Sequence, residues 1–239
     1  MTPLFCIGHR GASGEAPENT LCAIRRALEL GVDGVEVDVH VTCDGELVVI
    51  HDATVDRTTN GCGPVVGMTL ETVRQLNAGK GEKIPTLWEV IEVVAGRAWL
   101  NVELKAKGTA LRVVEAVERA VRELGVPRDA FTISSFDDEE LALAAGRGIP
   151  IGVLVAGRRR GVCRLLRRMK AASLHLSRRM VTPRRVAFAR AMGVRLLVYT
   201  VNEPAEMERL AALGVDGIFT DFPDRMLGRS PQVAPKMQF

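Results

Sequence analysis

The chain has 239 residues and a formal net charge of +3, with 47% hydrophobic and 26% charged residues. That composition supports one sizeable core and leaves no apolar run for a membrane span, which needs about 20 residues. The start, MTPLFCIGHRG, lacks the basic head and long apolar stretch of a secretion signal, so the expected location is the cytoplasm.

In chain order, apolar strand-like runs alternate with helical patterns. LFCIGH (4–9) precedes the helical TLCAIRRALELG (20–31), then GVEVDV (34–39) and ELVVIH (46–51). After TLWEVIEVVAG (86–96) come AWLNVEL (98–104), the helical ALRVVEAVERAVRELG (110–125), AFTISS (130–135) and PIGVLV (150–155). SLHLS (173–177), VRLLVYTV (194–201), the helical EPAEMERLAALG (203–214) and DGIFT (216–220) complete the series. The helical stretches repeat apolar residues every three or four positions, and Gly31, Gly96, Gly125, Gly193 and Gly214 fall at expected helix stops. Leaving out 46–51, eight strand–helix units predict an α/β fold, a (β/α)8 TIM barrel, in one domain over 1–239. A doubly wound sheet is the alternative.

Five scattered cysteines, 6, 22, 43, 62 and 163, form no CxxC pair and read as reduced thiols rather than a zinc site. Only six of the 32 basic residues are lysine. Arginines cluster between Arg158 and Arg195 with almost no aromatic interleaving, which argues against nucleic acid as a partner. The cluster reads first as a solvated helical face, and attraction to anionic lipid is its other reading.

The run at 46–51 breaks the alternation. It follows 35–43 across Asp44-Gly45, a two-residue hairpin signal. Such a turn sets Cys43 opposite Glu46 and Asp38 opposite His51, with Glu36 on the same face. Adjacent buried carboxylates repel unless a cation or shared proton compensates them. Glu103, near the end of another strand, is a third acid, and Lys105 follows in the same parity. In a barrel the strand C-terminal ends converge, so Glu36, Asp38 and Glu103 can meet on one hard cation, Mg²⁺ or Ca²⁺. Pairing of each acid with an arginine is the competing reading. His9 and His51 supply acid/base groups beside that cation, and Arg10 and Lys105 supply positive charge for a phosphate. His40 is a weaker candidate. His175 sits in a short apolar strand. The set fits attack on a phosphodiester.

At these residues the sequence resembles the glycerophosphodiester phosphodiesterase family. The resemblance rests on HRGASGEAPENT (9–20), GVDGVEVDVHVTCDGELVVIHD (31–52), DRTTNGCG (56–63), IPTLWEV (84–90), NVELK (101–105), SSF (134–136), YTVN (199–202) and GVDGIFTDFPD (214–224). It implies a barrel with a small insertion after the second barrel strand, over 53–85, and hydrolysis of glycerophosphodiesters to glycerol 3-phosphate and an alcohol. It implies a divalent cation on Glu36, Asp38 and Glu103, acid/base roles for His9 and His51, and phosphate contacts from Arg10 and Lys105. The resemblance also implies that Glu18 orients Arg10 or contacts the metal site and that Ser135, Phe136, Tyr199 and Asn202 line the glycerol and head-group side. The family often has Trp where Tyr199 stands. Lysophospholipid or phosphoinositide substrates rank second, and a non-catalytic phosphate-binding barrel third, since such a module needs no proton shuttle.

Overall fold

A computed structural model describes residues 4–227. The chain runs β1 (Phe5–His9), α1 (Leu21–Leu30), β2 (Gly34–Val41), β3 (Leu47–Val49), α2 (Leu70–Gln75), α3 (Leu87–Val94) and β4 (Trp99–Leu104). It continues α4 (Ala110–Leu124), β5 (Phe131–Ser135), α5 (Asp138–Ala144), β6 (Ile151–Val155), α6 (Val162–Met169) and β7 (Ser173–Ser177). It ends α7 (Pro183–Met192), β8 (Arg195–Tyr199), α8 (Pro204–Leu213), β9 (Gly217–Thr220) and α9 (Pro223–Leu227). Parallel pairing runs β1-β9-β8-β7-β6-β5-β4-β2, and β2 returns to β1, closing an eight-stranded barrel with β3 outside the ring. The expected barrel is the observed one, and the doubly wound sheet is excluded by that closure.

Local chemistry sets the helix boundaries. Thr20 caps α1 by accepting from the Ala23 N–H, and Thr86 and Glu89 form a reciprocal capping box on α3. In α4, Ala110, Val113, Val114, Val117 and Ala120 are buried, the three-and-four spacing that lays one stripe on the sheet. Alternation then splits each strand. On β2, Val35, Val37 and Val39 join the main core under the helices, so Gly34, Glu36 and Asp38 face the barrel interior. Ile7, Trp99, Leu197 and Phe219 form an inner apolar layer, and the interior becomes polar toward the strand C-terminal ends.

The hairpin register differs from expectation by one residue. Val39 pairs with Val49, His40 with Val48 and Val41 with Leu47, so Thr42, not Cys43, stands opposite Glu46. The turn has three residues rather than two. Thr42 accepts the Glu46 N–H at its hydroxyl, and Gly45 takes the left-handed φ of 90° that closes the longer loop. His51 is therefore not opposite Asp38. β3 ends at Val49, the Ile50 N–H donates to the Asp38 carbonyl, and the chain beyond carries His51 to the mouth. Within 53–85, Val55, Val65, Val73, Ala78 and Ile84 pack with Val48 and Ile50 into a separate apolar cluster. No helix of the described residues is long and apolar enough to cross a membrane.

Candidate active site

The strand ends surround a cavity of about 250 Å³ lined by polar residues including His9, Arg10, Glu36, His51, Glu103 and Lys105. Neighbouring registers bring the acids together. His9 pairs with Glu36 across β1–β2, and Asp38 with Glu103 across β2–β4. One oxygen each from Glu36, Asp38 and Glu103 lies within 4.8 Å of the others.

Three carboxylates at that spacing, two of them buried and Glu103 half-buried, need compensation. Burial pushes Glu36 well above the usual carboxylate range, Asp38 and Glu103 push it further, and Arg10 only partly offsets them. Burial also raises Glu103, reinforced by Asp38 and opposed by Lys105. Glu36 Oε2 accepts the Arg10 N–H at 2.9 Å, whereas Oε1 is buried without a hydrogen-bond partner. An unpartnered carboxylate oxygen facing two other acids fits a cation ligand, and an all-oxygen set fits a hard divalent ion.

The competing reading, each acid satisfied by an arginine, is met only in part. Arg10 Nε lies 3.2 Å from Asp38 Oδ2, within ion-pair reach but without hydrogen-bond direction, and its Nη1 donates to Glu18 instead. Glu103 takes Lys105 Nζ at 2.8 Å, and Asp38 Oδ1 is 3.6 Å from the same ammonium. Burial works against the Lys105 charge, but Glu103 and Asp38 overcome it and hold its affinity for the proton above the ordinary value.

Each histidine is fixed at Nδ1 by an aspartate. His9 Nδ1 is 2.7 Å from Asp221, whose carboxylate also accepts from Ser13 and Asn202. Burial opposes its ionisation, yet those donors, His9 first, lower Asp221 to about 2. An ionised carboxylate only accepts, so Nδ1 carries the proton and Nε2 is left for the cavity that His9 lines. His51 Nδ1 is 2.6 Å from Asp52, and its Nε2 is 3.1 Å from Lys105 Nζ. An ammonium only donates, so that Nε2 accepts. Hydrogen bonds from Arg57 and then His51 hold Asp52 far below the usual range.

The remaining candidates divide. Glu18 is away from the cavity lining and is gripped by Arg10 at Oε1 and by Arg57 at both oxygens. Phe136 and Tyr199 line the cavity and meet edge to face, with centroids 6.1 Å apart. Ser135 points away. Its hydroxyl donates to the Leu104 carbonyl and accepts the Asp137 N–H, while Ser134, on the opposite parity, faces inward onto Asn101. Asn202 does not line the cavity; it donates to Asp221 and accepts its N–H. His40 is buried with Nε2 3.1 Å from the His51 carbonyl, and burial lowers its basicity. His175 lies at the cavity floor beside Ser173, pushed down to about 3 by burial.

Asn19, Asp52, Arg57 and Asp221 are among the residues of this network with no role assigned from sequence. Asn19 Nδ2 donates to Asp38 Oδ2 at 2.9 Å, and its Oδ1 accepts the Asp38 N–H. Gly11 explains how the HRG loop reaches the site: a Cβ there would lie 2.5 Å from the Ala23 carbonyl carbon, so only glycine fits against α1.

Known proteins agree with this architecture. The model of the glycerophosphoryl diester phosphodiesterase family matches residues 9–225. A glycerophosphodiester phosphodiesterase of Caldanaerobacter subterraneus subsp. tengcongensis is 41% identical over 233 residues, covering 92% of this chain and 95% of that protein. One from Bacillus altitudinis is 34% identical, covering 94% and 96%. The solved structure of an Oleispira antarctica phosphodiesterase in complex with the product sn-glycerol-3-phosphate superposes with a TM-score of 0.84 at 32% identity, covering 95% of this chain and 96% of that one. With a family model spanning nearly its whole length, the chain belongs to the glycerophosphodiester phosphodiesterase family and is a phosphoric diester hydrolase.

Proposed function

We propose that the chain hydrolyses glycerophosphodiesters to glycerol 3-phosphate and an alcohol, with Glu36, Asp38 and Glu103 holding a divalent cation and His9 and His51 moving the protons. The carrying observation is the cavity that joins the acid cluster to both aspartate-buttressed histidines. The product complex of the Oleispira antarctica relative supports a small glycerophosphate-bearing substrate. When bound, Mg²⁺ or Ca²⁺ supplies Lewis-acid stabilisation for the charge that builds on the phosphoryl oxygens.

The chain's own residues do the rest. Arg10 and Lys105 grip the non-bridging oxygens, and Lys105 leaves His51 Nε2 as it turns to the phosphate. His51, already in the accepting tautomer, takes the proton of the attacking hydroxyl. His9 acts as imidazolium: with Nδ1–H held by ionised Asp221, it carries a second proton at Nε2, gives that proton to the leaving alkoxide and is left neutral. The substrate's own glycerol hydroxyl is the nucleophile favoured by proximity, which passes through a cyclic phosphate that water then opens. Phe136 and Tyr199 wall the head-group side. Residues 4–227 act as one barrel unit with 53–85 as a small insertion, and the ends of the expected 1–239 domain lie outside the described residues.

A panel of glycerophosphodiesters assayed with each divalent ion, products read by phosphorus NMR, tests this reading. Glycerol 3-phosphate with a transient cyclic phosphate in single turnovers is expected. Absence of any diester cleavage with every ion contradicts hydrolysis, and absence of the cyclic species assigns the attack to water.

A further inference from the structure

The small net charge hides a partition. Residues 141–202 contain 14 arginines and lysines and no aspartate or glutamate, so the rest of the chain sums to −11. The fold keeps this sector together, because it comprises the consecutive units β6, α6, β7, α7 and β8 on one flank of the barrel. Arg164, Arg167 and Arg168 share the outer face of α6 by their three- and four-residue spacing, and all are exposed. Arg158 and Arg160 in the preceding loop and Arg184 on α7 are exposed as well. Arg164, Arg168 and Arg184 have no ion-pair partner among the described residues. A face that is merely solvated mixes its signs, and this one does not.

Between α6 and α7 runs a groove of about 450 Å³ with an apolar floor of Val155, Leu174, Leu176 and Phe188 and a rim carrying Arg184 and Arg159, the latter paired with Asp138 at the edge of the sector. We propose that this flank docks the enzyme on an anionic phospholipid bilayer. Charge complementarity calls for a polyanionic partner. The apolar groove suits lipid rather than nucleic acid, and residues 141–201 contain neither Asn nor Gln for reading bases and offer little aromatic surface for stacking them. The diester substrate class, which rests on the function proposed above, is phospholipid stripped of its acyl chains, so an upstream deacylation at a bilayer surface must supply it. α6 and α7 expose no large apolar side chain, so the attraction is electrostatic and salt-reversible.

The test is co-sedimentation of the metal-loaded full chain with phosphatidylglycerol or phosphatidylcholine vesicles at low and high salt. Two triple variants are compared: Arg164→Gln/Arg168→Gln/Arg184→Gln, and Arg25→Gln/Arg97→Gln/Arg122→Gln, which removes equal charge elsewhere. The expected result is binding to phosphatidylglycerol alone, released by about 0.5 M salt. The first triple should weaken it at least about tenfold and the second should leave it near parent strength, while both keep parent circular dichroism and parent turnover of a soluble diester. No binding to anionic vesicles, equal weakening by both triples, or full displacement by duplex DNA at equal phosphate concentration would overturn the assignment. Because vesicle binding is read without catalysis, its failure is separate from any failure of the diesterase reading.

Discussion

The two histidine–aspartate pairs place the same chemistry on unlike foundations. His9 ends a barrel strand, and Asp221 follows the last strand, adjacent across the β1–β9 ladder although 212 residues separate them in sequence. Three side chains converge on that aspartate. His51 and Asp52 are chain neighbours on a loop beyond β3, steadied by Arg57, by Lys105 and by His40 on the His51 carbonyl. Closing the barrel therefore builds the first pair, whereas the second depends on side-chain contacts around an irregular segment. The first has one partner setting its tautomer and the second has two.

The largest expected effect breaks both pairs at their catalytic ends. His9→Ala and His51→Ala should each lower kcat about a hundredfold or more, with inorganic phosphate binding largely kept; unchanged turnover in both would remove the acid/base assignment. Next, Asp221→Asn should lower kcat about a hundredfold, since nothing else sets the His9 tautomer. Asp52→Asn should cost only about tenfold, because Lys105 sets the accepting Nε2 tautomer of His51 before the phosphate draws it away. Steady-state kinetics giving equal losses would erase the distinction between the pairs.

A smaller effect touches the acids. Asn19→Ala removes the amide that orients Asp38 and should weaken divalent-ion affinity about tenfold by calorimetry, with the barrel still folded. The smallest lies in acid. Asp221 is depressed to about 2 in the fold, so its contribution to stability is full above the unfolded value and lost as pH falls through about 2. Chemical denaturation across that window should show a larger loss in the parent than in Asp221→Asn.

Most of the barrel was legible because alternation in short apolar runs and glycine stops at helix ends are local signals. The positions of Glu36, Asp38, Glu103 and His9 were legible for the same reason, as strand positions of known parity, whereas Arg10 reaches the cavity by leaving β1 with a left-handed φ of 56°. Hairpin register was not, because a hydroxyl on Thr42 and the conformation of Gly45 decided between two-residue and three-residue loops. Ser135 was misread by one step of alternation; the inward serine is Ser134, marked by its contact with Asn101. Asp221 and Asn19 lay inside quoted motifs, TDFPD and PENT, but their roles depend on pairing between distant segments that no local pattern encodes.

Metal titration of the chelator-stripped enzyme, beside Glu103→Gln, probes the acid cluster most directly. One divalent ion per chain, restored turnover on adding Mg²⁺ or Ca²⁺, and markedly weaker binding in a normally folded Glu103→Gln variant are the predicted results. Full turnover after exhaustive chelation, or parent-like ion affinity in Glu103→Gln, would contradict the account.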